Sequence, residues 1–209
     1  MGGAELETDE QKASYSIGRN IGAQIAEMDS RIDYPALMRG LTDGVEGVEP
    51  PISEEELQTA MDVVNAAMEE ERRAERDAES AANVETGDAF RADFAASEGV
   101  STTASGLMYE VLVLGEGDAP AADDRVEIHY TGTLVDGTEF DSSRGGPPAQ
   151  FSLGGVIPGF SEALQLMRPG STFRVVMPPE LAYGPSGGGS IGPNATLVFE
   201  IELIQVLDD

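Results

Sequence analysis

The spacing of apolar residues changes near Gly99 and divides the chain into two parts. Before that point apolar residues recur at helical intervals, and the stretch from Leu57 to Met68 spaces them four, three and four residues apart, as in a short coiled-coil seam. After Gly99 the period falls to two, which is typical of β-strands. The pattern therefore predicts a helical domain over residues 1–98 and a strand-rich domain over residues 99–209.

The helical part is predicted to contain two short helices and one long one. Thr8 with Gln11, and Ser53 with Glu56, are capping boxes, while Pro35 is suited to the first turn of the second helix. The third helix is predicted over about residues 53–97. Its charged stretch from residue 69 to 79 is polar on every face, so it is predicted to form a stalk. Gly87 interrupts this helix and weakens it by about 1 kcal/mol relative to alanine.

The first two helices and the start of the third form a small apolar unit. Its first helix has apolar residues near helical spacing: Tyr15, Ile17, Ile21, Ile25 and Met28. A unit of roughly 70 residues buries too little surface to be stable alone, so pairing with a second copy is predicted. The alternative is a helical bundle packed against the C-terminal domain of its own chain.

The second part has the pattern of an α+β domain. Strands are predicted at 107–114, 126–135, 173–177 and 196–206, and one short helix at 160–167. Asp136-Gly137 is a strong hairpin signal. Strands dominate, and the single helix is expected to cover one face of their sheet.

The chain is strongly acidic, with 39 acidic and 12 basic residues and a net charge of -27. Such a surface repels nucleic acid and anionic membranes, so neither is an expected partner. Lys12 is the single lysine. We predict a salt-rich milieu, because about 1 M salt cuts the electrostatic screening length to about 3 Å and so removes the repulsion among the acidic residues. With no apolar run of about 20 residues and no recognisable leader, we expect a cytoplasmic protein. The alternative is a periplasmic or surface location if a leader was removed.

The inventory of reactive side chains is small. There is no cysteine and one histidine, His129, which is interpreted as structural, so neither a metal site nor a cofactor is expected. Several aromatic and aliphatic residues instead lie close to predicted turns, and this pattern favours an apolar binding cleft. They are Tyr130, Phe140, Phe151, Val156, Ile157, Phe160, Tyr183 and Phe199.

The order and spacing of five motifs resemble the FKBP-type isomerase domain, over about residues 106–207. The motifs are HYTG at 129–132, DGTEFDSSR at 136–144, GGVIPGF at 154–160, PPELAYG at 178–184 and IGPNATLVFEIELI at 191–204. The N-terminal half resembles the helical dimerisation domain of the bacterial Mip-like, two-domain branch, through ASYSIG at 13–18 and EGVSTTASGL at 98–107. The resemblance implies an FKBP-like fold, with an antiparallel β-sheet wrapped on a short helix.

The resemblance also implies a proline pocket and a role for each of its residues. The expected catalytic group is Tyr130, Phe140, Asp141, Ile157 and Tyr183. In this group the Ile157 backbone N–H would donate to the substrate carbonyl, while Asp141 and the Tyr183 hydroxyl would point inward. The expected substrate-binding group is Phe151, Val156, Phe160, Ile191 and Phe199, with Phe160 at the floor and Ile191 as a cap.

Three positions depart from the family pattern. Phe160 stands where the family commonly has tryptophan, which implies a roomier pocket. Ala149 stands where some members place an aromatic residue, and the loop over residues 187–190 lacks bulky side chains. These departures concern substrate preference.

The expected function is therefore peptidyl-prolyl cis-trans isomerisation in proline-containing unfolded or partly folded polypeptides. Macrolide FKBP inhibitors are expected ligands, and a homodimer through the N-terminal helices is the expected assembly. The first alternative is a dimeric chaperone or holdase in which isomerisation is secondary. The second is an interaction module with the family fold but no turnover.

Overall fold

The computed structural model describes residues 5–26 and 31–207. The chain divides into two compact units, residues 1–73 and residues 74–209. This division falls inside the long helix, whereas the change of apolar period falls near residue 99. The domain boundary inferred from that period stays a prediction.

Three helices precede the strands, as predicted. They are α1 (Asp9–Ala26), α2 (Tyr34–Glu46) and α3 (Glu54–Ala95). Both predicted capping boxes are present, since Gln11 N donates to Thr8 Oγ1 over 3.3 Å and Glu56 N donates to Ser53 Oγ over 3.3 Å. The predicted apolar position Met28 lies outside the described residues.

The first unit leaves much of its apolar surface in contact with solvent. Helices α1 and α2 contain no buried residue in their described parts. Tyr15 is 55% exposed and Met38 is 60% exposed. Arg31 connects the segment before α2 to α3. It forms an ion pair with Glu71 and donates to the Ala67 carbonyl over 3.4 Å.

The second unit is built on a seven-stranded antiparallel sheet. Its strands are β1 (Val100–Thr102), β2 (Met108–Val113), β3 (Arg125–Leu134), β4 (Glu139–Ser142), β5 (Ala149–Ser152), β6 (Thr172–Met177) and β7 (Leu197–Leu207). The order is β1-β2-β6-β7-β3-β4, with β5 also paired to β3. Three of these strands, β1, β4 and β5, have at most four residues, too few to give a period of their own in the sequence.

The core of this unit lies between the sheet and helix α4 (Pro158–Leu166). Alternate residues of β7 from Leu197 to Leu203 are buried, which confirms the predicted period of two. They pack with Ala163 and Leu164 of α4 in a single apolar cluster.

Within the described ranges, no helix combines the length and apolar character needed to cross a membrane.

Helix α3 continues into the second unit and contacts its last loop. Gly87 is the one buried residue of α3, and the loop residue Thr196 lies directly against it. Asn83 Nδ2 donates to the Pro193 carbonyl over 2.9 Å, and Asn194 Nδ2 donates to Ser80 Oγ over 2.7 Å. These contacts lie between residues 80 and 87, C-terminal to the charged stretch of residues 69–79, and the stalk proposed for that stretch stays a prediction.

Candidate proline-binding site

A cavity of about 400 Å³ opens on the face of the sheet that α4 covers. It collects every predicted site residue except Ile191, and adds Gly155. The lining consists of Tyr130, Phe140, Asp141, Phe151, Gly155, Val156, Ile157, Phe160, Tyr183 and Phe199. Apart from Phe151, these residues come from five separate motifs, so the fold brings together groups that are up to 69 positions apart along the chain.

The aromatic rings pack mainly edge to face. Phe160 lies 5.2 Å from Phe199 and 5.8 Å from Tyr130, measured between ring centroids, with interplanar angles of 77° and 81°. Phe140 meets Phe199 at 5.6 Å and 85°. Each such contact stabilises the pair by about 0.5–1.5 kcal/mol beyond its area burial. The rings therefore support one another and hold the cavity open.

Gly132 on β3 permits this close packing. A Cβ atom at this position would lie 2.6 Å from Phe140 Cζ and 2.7 Å from Phe199 Cε1. Any side chain would therefore displace two walls of the cavity. Glycine is therefore required at position 132 because there is no space for a Cβ atom. The backbone conformation does not require it, since Gly132 lies in an ordinary strand.

Tyr130 and Asp141 form the polar pair of the site. The Tyr130 hydroxyl donates to Asp141 Oδ2 over 2.6 Å. Burial raises the pKa of Tyr130 above its usual range, and the hydrogen bond and negative charge of Asp141 raise it further. The phenol therefore stays protonated and remains a donor, which fixes the Asp141 carboxylate inside an otherwise apolar cavity.

Ser143 holds the backbone of Tyr130 through hydrogen bonds, and His129 lies beside Ser143. Ser143 Oγ accepts from the Tyr130 N–H over 2.9 Å and lies 3.1 Å from His129 Nδ1. Ser143 N donates to the Tyr130 carbonyl over 3.0 Å. These contacts agree with the structural interpretation of His129.

The start of α4 presents Val156 and Ile157 at the rim. The Ile157 carbonyl accepts from Phe160 N over 3.0 Å and from Ser161 N over 3.1 Å, which fixes the first turn. Within residues 5–26 and 31–207, no group accepts a hydrogen bond from the Ile157 N–H. This donor is therefore available to a ligand. Tyr183, 43% exposed, also lines the cavity.

Ile191 does not line the cavity. It is 7% exposed and belongs to the apolar core. Its backbone exchanges hydrogen bonds with Gly188 over 2.8 and 2.9 Å, which closes the loop and turns the side chain inward. Gly155 was not predicted because it offers the cavity no side chain; the signal was its place within the GGVIPGF motif.

Fold and cavity together define a ligand-binding domain with no cysteine and with its one histidine outside the cavity. Residues 117–204 match the model of the FKBP-type peptidyl-prolyl cis-trans isomerase family, and residues 10–111 match the domain amino terminal to it. The chain belongs to the FKBP-type peptidyl-prolyl cis-trans isomerase family.

Similar proteins match over almost the whole chain. The FKBP-type 22 kDa peptidyl-prolyl cis-trans isomerase of Escherichia coli K12 is 43% identical over 205 residues, covering 97% of this chain and 98% of the relative. FkpA of Aeromonas hydrophila is 42% identical over 211 residues, covering 97% of this chain and 78% of the relative. The crystal structure of FkpA from Escherichia coli matches with a TM-score of 0.73 and 36% identity, over 97% of this chain and 98% of that one.

Proposed function

We propose that this chain accelerates rotation about X-Pro peptide bonds by binding proline in the 400 Å³ cavity. The observation that carries this proposal is the ring of mutually packed aromatic residues around a single polar pair, Tyr130 and Asp141. FKBP-type isomerases act on proline-containing polypeptides. A chaperone activity is not needed to explain the cavity.

The reaction requires no covalent step. Rotation about the amide faces a barrier of about 18–20 kcal/mol because resonance is lost in the twisted state. An enzyme accelerates this step only by stabilising the twisted amide more than the planar one. A thousandfold acceleration corresponds to about 4 kcal/mol of such differential stabilisation.

The cavity residues have matching roles in this proposal. The aromatic floor of Phe160 and Phe199 receives the proline ring and excludes water from the amide. The free Ile157 N–H donates to a substrate carbonyl. Asp141, held by Tyr130, faces the carbonyl carbon as that carbon loses resonance with nitrogen, and the Tyr183 hydroxyl lies at the rim.

Protease-coupled isomerisation of a short Leu-Pro peptide tests the proposal, in dilute buffer and again in molar salt. We expect faster cis-to-trans conversion, lost in Phe160→Ala. A folded wild-type protein that gives no acceleration in either buffer contradicts the proposal.

We further propose a homodimer formed through the N-terminal helices. The exposure of Tyr15 and Met38 supports it, because such side chains are otherwise left in water. Sedimentation equilibrium should give twice the chain mass, and Met38→Glu should shift it toward the single chain. A monomeric wild-type protein at micromolar concentration would refute the dimer.

Macrolide FKBP inhibitors remain proposed ligands of the aromatic cavity, and calorimetric titration with one of these macrolides tests this. The cytoplasmic location remains a proposal as well, which rests on the sequence alone. Fractionation of the native cells decides it.

A further inference from the structure

A second cavity of about 630 Å³ lies in the same unit as the proline cavity. Its walls are one face of α3, the end of β3 with the turn that follows it, and the loop over residues 190–196. The residues that matter for its chemistry are Glu79, Phe90, Asp93, Leu134, Val135 and Asp136.

The walls of this cavity are largely apolar and accessible. Phe90 of α3 is half-buried, and its ring is held parallel to Phe94 at a centroid distance of 6.4 Å. Leu134 and Val135 face the cavity from the end of β3. An apolar, partly open cavity of this size suits an apolar side chain and its neighbours.

The rim of the cavity carries one sign of charge. Glu79, Asp93 and Asp136 are its ionisable residues, and neither lysine nor arginine is among the described lining. Asp136 accepts from the Thr138 N–H over 2.9 Å, an interaction that lowers the pKa of its carboxyl group. The rim therefore attracts a lysine or arginine side chain beside an apolar one.

The two cavities follow one another along β3. Tyr130 lines the proline cavity and Leu134 lines the second, and both lie on the same face of the strand because they are an even number of residues apart. Four strand residues span about 13 Å. An extended polypeptide with its proline in the first cavity therefore reaches the second after about four residues.

We propose that the second cavity is a substrate subsite for a segment of the client chain that joins an apolar residue to a basic one, about four residues from the proline. This inference rests on the proposed function of the first cavity. Once the proline is bound, the segment is tethered at high effective concentration, so even a weak contact raises the affinity of the whole chain.

The test uses full-length protein and proline peptides that differ only in a dipeptide four residues from the proline. One set places Phe-Arg, Phe-Glu or Gly-Ser on the N-terminal side and a second set places them on the C-terminal side. Dissociation constants are measured by calorimetry, and kcat/KM by protease-coupled turnover. We expect the Phe-Arg peptide of one set to bind about tenfold more tightly than its Gly-Ser counterpart, and Phe-Glu to gain less.

Variants then assign that gain to the cavity. Phe90→Ala should abolish it, whereas the matched control Val84→Ala should keep it, because Val84 is exposed on α3 and does not line the cavity. Val135→Ser on the opposite wall provides a second variant should Phe90→Ala fail to fold. Asp136→Asn should reduce the preference for Phe-Arg over Phe-Glu.

Equal affinity for all three peptides in both sets overturns the proposal, as does a gain that survives in both cavity variants. A drop in oligomeric mass in Phe90→Ala would assign the cavity to contacts between copies and would also overturn it. If the wild-type protein turns over no peptide, the proposed isomerase function fails, but the dissociation constants still decide the subsite.

Discussion

Replacing Gly87 by alanine should destabilise this protein, although glycine is normally the poorer residue in a helix. In an exposed helix the exchange would stabilise by about 1 kcal/mol. At Gly87 the new Cβ would lie 3.2 Å from Thr196 Cβ, 3.3 Å from Arg91 Nη1 and closer still to Thr196 Oγ1. Thr196 is 2% exposed, so it has little room to move aside.

The change in the free energy of unfolding is the sum of two destabilising effects and one stabilising effect. Forcing an extra carbon into a packed contact costs about 1–3 kcal/mol. Arg91 donates to Thr196 Oγ1, and loss of a hydrogen bond to a charged group costs about 1.5–3 kcal/mol. After the helix gain of about 1 kcal/mol, the free energy of unfolding should fall by about 1.5–5 kcal/mol.

Urea denaturation followed by circular dichroism measures this change at fixed salt. Gly44→Ala is the matched control, because Gly44 lies in helix α2 with nothing within 4 Å of the added Cβ, and it should not destabilise. Gly87→Ala combined with Thr196→Ala should recover part of the loss. The reasoning is refuted if Gly87→Ala alone is as stable as the wild type.

Three further predictions concern the cavity and the surface charge. Gly132→Ala should lower kcat/KM at least tenfold by displacing Phe140 and Phe199. The control Gly154→Ala, which has open space around its Cβ, should change kcat/KM less than twofold. Equal effects of the two substitutions would contradict the packing argument. Because the pKa of Tyr130 is raised, stability is fully present below about pH 10 and falls above it, where unfolded tyrosine ionises first. In urea titrations between pH 9 and 11, Tyr130→Phe should therefore lose less stability than the wild type, and an identical slope would count against this. The net charge of -27 predicts that the free energy of unfolding rises with salt up to about 1 M, and a fall would exclude the salt-rich interpretation.

Much of the architecture was determined by local sequence. The caps at Thr8 and Ser53 mark two helix starts within two residues of the observed ones, since a capping box is satisfied by groups three positions apart. The period of two in β7 predicted which of its residues are buried, because successive side chains of a strand point to opposite faces. The apolar residues near predicted turns, together with the motifs, included every residue that lines the cavity except Gly155.

The tertiary structure decided the features that depend on partners distant in sequence. Ile191 belongs to the core because reciprocal hydrogen bonds with Gly188 turn it inward, and no local pattern indicates this. Gly87, interpreted from sequence as a weak point of the helix, is instead a contact point, since its missing side chain admits Thr196 from 109 positions away. Local rules specify what a segment can form, whereas close approach depends on which atoms the completed fold brings to the same place.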